Sequence, residues 1–125
     1  MRNFFNLIVR GLPFIFWALI VVSTFLLLIP LAPKQGGFEH ADKIIHATGF
    51  VILTLAGLLA FKNKFVAVCF GLAGYGILTE LLQGAFTTTR LASVGDWLAD
   101  VSGILIAALI FSLLKRYLNL SLHTE

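Results

Sequence analysis

The stretch Leu12-Pro-Phe-Ile-Phe-Trp-Ala-Leu-Ile-Val-Val-Ser-Thr-Phe-Leu-Leu-Leu-Ile-Pro-Leu31 contains no charged side chain. A helix rises about 1.5 Å per residue and needs roughly 20 apolar residues to cross the hydrocarbon of a bilayer, which is the length of this run. Pro30 and Pro33 close it. Three further apolar runs follow at about 43–61, 65–84 and 96–114, and together the four fill nearly the whole chain.

Composition agrees. The chain of 125 residues is 59% hydrophobic and 12% charged, with a mean hydropathy of +0.99, more apolar surface than a soluble domain of this size can bury. The expected fold is all-α: one polytopic membrane domain over 1–125, with four transmembrane helices in a compact bundle. A signal peptide has a shorter apolar core and a small-residue cleavage site, whereas the first run is long and ends in Leu-Ala-Pro-Lys34, so it is expected as a retained helix. The single cysteine, Cys69, lies within the third run and excludes a disulfide framework or a CxxC knuckle. A formal charge of +3 spread in ones and twos is no nucleic-acid footprint.

Those basic residues set orientation instead. Arg2 and Arg10 precede the first run, Lys62 and Lys64 link the second to the third, and Lys115 and Arg116 follow the fourth. In a four-pass chain these segments share one side, against Lys34, Lys43 and Arg90 on the other. The positive-inside rule then puts both termini in the cytoplasm and the two longer loops outside. Trp97 and Tyr117 fall near the outer and inner boundaries, where aromatic residues sit at headgroup depth. Five of the six acids (Glu39, Asp42, Glu80, Asp96 and Asp100) then gather at the outer end.

Within that end lies a repeat. Asp42-Lys-Ile-Ile-His46-Ala-Thr48-Gly49 aligns without a gap on Asp96-Trp-Leu-Ala-Asp100-Val-Ser102-Gly103. Two helical hairpins of equal membrane orientation can be related by an axis along the membrane normal, so a pair of parallel repeats is one reading of the fold. Residues at i, i+4 and i+7 share a helix face. Asp42, His46 and Gly49 therefore form one stripe, and Asp96, Asp100, Gly103 and Ala107 another. Their small residues favour close approach between membrane helices, so both stripes are expected to turn inward. Gly76, Glu80 and Gln83 of the third helix are expected to join them, and the first helix serves as scaffold.

His46, Glu80 and Asp100 stand roughly one turn, about 5–6 Å, inside the expected helix ends. An ionised side chain at mid-helix costs about 2.5–3.5 kcal/mol on insertion scales, so such groups imply pairing, a wet cavity or function. These three with Asp96 are the candidate catalytic residues, and Lys43, Arg90, Gln83, Asp42 and Ser93 the candidate substrate-binding ones. Several admit plainer roles. Asp42 and Asp96 suit helix N-termini, with Ser93 at capping-box spacing before Asp96. Lys43 and Arg90 suit either interfacial anchoring or a phosphate-bearing lipid headgroup. The donors His46, Glu80, Asp96 and Asp100 are compatible with a divalent cation, although no metal motif is present and no cofactor is identified. Proton relay is disfavoured, since the cytoplasmic half of the second helix carries only Thr54, and that of the fourth only Ser112, as polar side chains.

Asp42-Lys-x-x-His46-x-x-x-Phe50, Glu80-x-x-Gln83, and Arg90 with Ser93, Asp96 and Asp100-x-x-Gly103 together resemble the VanZ-like family of small bacterial membrane proteins. The match runs from Asp42 to Gly103, about half the chain, and its one notable departure is Asp100, where the family often carries Asn. The resemblance implies a bacterial inner-membrane, cell-envelope setting and supplies no mechanism. The expected function is recognition, and in extension modification, of an anionic envelope lipid or lipid-linked cell-wall intermediate. The alternatives are a structural or accessory subunit working with a partner or as an oligomer, and a proton-coupled carrier.

Overall fold

The computed structural model describes residues 1–29, 40–87 and 91–122, with side chains in the last segment described as far as Asn119. Its helices are α1 (Arg2–Leu28), α2 (Ala41–Ala60), α3 (Phe65–Phe86) and α4 (Val94–Leu122). All four are long and apolar enough to cross a membrane, so the chain is a multi-pass, all-helical membrane protein.

Two helices outrun the expected spans. α1 starts at Arg2 rather than near Leu12, with Pro13 inside it instead of at its first turn. A helix tolerates an interior proline at the loss of one backbone hydrogen bond. The added segment is amphipathic, because Asn3, Asn6 and Arg10 recur at helical spacing among Phe4, Phe5, Leu7 and Ile8. α4 likewise continues past Leu114 through Lys115, Arg116 and Tyr117. Between α2 and α3 the turn is only a few residues long, and Asn63 closes it at φ 65°, a left-handed conformation that Asn adopts more readily than most residues.

The packing is not a square. α2 and α3 touch along the middle, α1 leans on both and α4 on both, while α1 and α4 do not meet among the described residues. The seam between α2 and α4 is the most extensive. The reason is local: a Cβ on Gly103 would overlap the Ala47 carbonyl oxygen and stand 3.1 Å from Phe50 Cβ, so only glycine lets α4 come this close to the α2 backbone. Gly57 does the same where α1, α2 and α3 converge, since a Cβ there would lie 2.8 Å from Val68 Cγ1 and 3.0 Å from Phe16 Cε2. Phe16, Phe50, Leu53, Leu58, Val68, Leu72 and Ile104 form the apolar core beside these contacts.

Only one of the two expected stripes turns inward as a unit. On α4, Asp100, Gly103 and Ala107 are all buried and Asp96 is half-buried. On α2, by contrast, Asp42 is exposed and nothing lies within 4 Å of a Cβ placed on Gly49. The inward face of α2 is instead His46, Phe50, Leu53, Thr54 and Gly57. Phe50, rather than its glycine neighbour, fills the seam.

Candidate functional site

Three helices each contribute one ionisable side chain to a single buried point. His46 from α2, Glu80 from α3 and Asp100 from α4 are 3%, 5% and 0% exposed. His46 Nδ1 lies 2.8 Å from Asp100 Oδ1 and 3.8 Å from Glu80 Oε1. The imidazole and Asp100 thus share a hydrogen bond, with the second carboxyl group alongside. Gly76 admits this convergence, because a Cβ there would stand 3.0 Å from Asp100 Oδ2.

Around this core runs a chain of polar contacts that begins the fourth helix. Ser93 precedes the first turn of α4, and its Oγ accepts the Asp96 N–H at 3.2 Å, the capping contact expected from the spacing. In a capping box the third residue returns the favour to the cap's own N–H. Here Glu80 takes that place from another helix, its Oε2 accepting the Ser93 N–H at 2.8 Å. A carboxylate at the positive end of α4 is stabilised by the helix dipole as well. The side chain of Asp96 is released, and meets Lys43 Nζ at 3.6 Å on the rim, where Lys43 is about half exposed.

Buried polar groups in proteins are usually paired, but three atoms at this point are not. His46 Nε2, Glu80 Oε1 and Asp100 Oδ2 have no hydrogen-bond partner among the described residues. A cleft of about 260 Å³ opens beside Glu80, between α3 and the start of α4. Its walls are Ile77, Leu81, Ala92, Val94 and Trp97, with Glu80 and Ser93 as its polar lining. On the far side of His46, a smaller recess of about 110 Å³ separates α1 from α2. One ligand atom from each of His46, Glu80 and Asp100 lies within 4.8 Å of the others, a spacing able to hold a metal ion.

The expected site residues therefore divide. His46, Glu80 and Asp100 come together, with Asp96, Ser93 and Lys43 in a layer above them. Gln83 is buried but occupied elsewhere: its Nε2 donates to the Leu27 carbonyl at 2.8 Å, satisfying one of the last carbonyls of α1. Asp42 sits exposed in the first turn of α2, away from the buried group. Arg90 lies outside the described residues, as do Lys34 and Glu39.

Two contacts lie outside the sequence reading. Trp97 links α4 to α3, its indole N–H donating to the Ala73 carbonyl at 3.1 Å. Deeper in the bundle, Tyr75 Oη lies 2.9 Å from Thr24 Oγ1 and donates to the Ile20 carbonyl at 3.3 Å, linking α3 to α1. The signal for this pair was legible: a phenol in the middle of a membrane span needs a partner, and Thr24 is a hydroxyl in the opposing run.

No family model, curated protein or solved structure matches the chain. The functional reading rests on the chemistry of these residues.

Proposed function

We propose that this protein of the bacterial cytoplasmic membrane, VanZ-like in its residue pattern and with both termini cytoplasmic, recognises an anionic envelope lipid or lipid-linked cell-wall intermediate at its outer end. In this reading the acyl or polyprenyl portion enters the apolar cleft beside Trp97, and the headgroup meets the polar group at its wall. Lys43 and Arg90 engage phosphate. His46 and Glu80 exchange protons with the bound headgroup if chemistry follows, and Asp96 and Asp100 orient them or help hold a divalent cation. The observation that carries this reading is the set of unpartnered buried atoms on His46, Glu80 and Asp100, of which Glu80 also lines that cleft. A network built only to fix helix register would leave no such remainder.

A structural or accessory subunit is the second reading, favoured by Glu80 capping α4 and Gln83 capping α1. A proton-coupled carrier has less support, since beyond the buried group the polar side chains thin out to Thr54 and the Thr24–Tyr75 pair.

Native mass spectrometry of the protein extracted from its own membrane, wild type beside Arg90→Ala, separates the first two. A phospholipid or polyprenyl-linked species retained by wild type and lost by the variant is the expected result. Equal retention in both, or no specific species in either, would put the accessory subunit first.

A further inference from the structure

Recognition of an anion at this site meets an electrostatic difficulty. The buried group holds two carboxylates, Glu80 and Asp100, against a single imidazole, and Lys43 is already directed at Asp96. With both carboxyl groups ionised the group is negative even when His46 is protonated, in surroundings where unpaired charge is costly. A phosphate brought to the wall of the cleft would meet the carboxyl group of Glu80 there, against the attraction of Lys43 and Arg90.

We propose that His46, Glu80 and Asp100 together bind a divalent cation of the Zn²⁺ type, and that this ion presents the positive charge on which an anionic headgroup lands. The inference rests on the lipid-site reading for the role of the ion, though not for its binding. A divalent ion neutralises the two carboxylates and gives Glu80 Oε1 the partner it otherwise lacks. Imidazole nitrogen and carboxylate oxygen are both zinc ligands, and three protein ligands with a fourth position open is the arrangement of catalytic Zn²⁺ sites.

The distances suit it. Tetrahedral ligands at about 2.0–2.1 Å from zinc stand roughly 3.3 Å from one another. His46 Nδ1 lies 2.8 Å from Asp100 Oδ1 and 3.8 Å from Glu80 Oε1, so the observed separations bracket that value. Shifts of about half an ångström bring both to it, and the third pair, Glu80 with Asp100, has ligand atoms within 4.8 Å. Coordination through Nδ1 leaves the imidazole proton on Nε2. Glu80 is the ligand that also lines the cleft, the side from which a headgroup would reach the open position.

The test uses Zn²⁺ alone. Purified protein in detergent is stripped with chelator, dialysed against ZnCl₂ and assayed for bound metal, with the visible spectrum of a Co²⁺-loaded sample reporting ligand geometry. Wild type and Ser102→Ala, whose exposed hydroxyl bonds back to its own helix, are expected to retain the ion near stoichiometry. His46→Ala and Glu80→Gln are expected to lose at least about tenfold in affinity. Glu80→Gln is isosteric and keeps an acceptor for the Ser93 N–H, so loss of metal from that variant with its helicity intact is not unfolding.

A wild type that takes up no Zn²⁺, or uptake that His46→Ala and Glu80→Gln leave unchanged, overturns the inference. Arg90-dependent lipid retention without metal would remove the cation and leave the lipid site standing. Metal bound at these residues with no lipid retained would do the reverse.

Discussion

The eight residues from Asp42 to Gly49 and the eight from Asp96 to Gly103 share a spacing, yet the bundle uses them differently. In the second, Gly103 is the point of closest helix approach, Asp100 is wholly buried, and Asp96 is tied through its backbone to Ser93 and through its side chain to Lys43. In the first, Gly49 faces open space and Asp42 is exposed, and only His46 reaches the interior. The matched fifth positions, His46 and Asp100, meet each other. Parallel helices related by a local axis bring equivalent positions face to face, but α3 touches α2 while α1 does not touch α4, so the axis does not extend to the whole bundle. Pattern places a polar group at a depth; the neighbour's shape decides whether it is used.

Substitution at matched positions should therefore give unequal effects. The largest is expected at the pair itself: Asp100→Ala strands a buried imidazole and should cost about 3–5 kcal/mol, read from denaturant unfolding in detergent. Asp42→Ala, at the exposed first position of the other octad, should cost well under 1 kcal/mol in the same assay.

Next come the glycines. Gly103→Ala forces α4 away from the Ala47 carbonyl and should destabilise by about 1–3 kcal/mol, whereas Gly49→Ala has room and gains helix propensity, for a change within about 0.5 kcal/mol or a slight stabilisation. Equal losses at the two glycines would mean that the α2–α4 seam is not where Gly103 puts it.

The start of α4 should respond less. Ser93→Ala removes the cap on the Asp96 N–H and should cost about 1 kcal/mol, while the backbone N–H that Glu80 accepts is untouched. Smallest of all is Lys43→Ala. Its contact with Asp96 is on the rim and nearly half exposed, so thermal unfolding should report no more than about 0.5 kcal/mol. A larger loss would make Lys43 part of the buried group instead of its cover.

How much of this was legible follows from what sequence encodes. Four spans and the Ser93 cap are properties of length and spacing, and both appear in the fold. The depth of His46, Glu80 and Asp100 below the helix ends likewise foretold that they would be buried. Helix rotation was not legible. Whether α2 shows Gly49 or Phe50 to its neighbour depends on how Gly103 and Ala47 fit, which no single run of residues states. The borrowed capping box was hidden for a related reason, since Glu80 belongs to a different helix from the turn it completes. Gln83 has the polarity of a ligand residue, and only the end of α1 beside it reveals a cap. The start of α1 at Arg2 was readable from the spacing of Asn3, Asn6 and Arg10, but the uncharged run that set the expected span begins only at Leu12.

The face-to-face meeting of the two octads at His46 and Asp100 underlies both the seam and the site, and a double-mutant cycle on that pair addresses it directly. Unfolding free energies of wild type, His46→Ala, Asp100→Ala and the double variant should show a coupling of about 2 kcal/mol, with the double variant much less destabilised than the sum of the singles. Additive losses, with coupling near zero, would mean that the two side chains do not share one buried point.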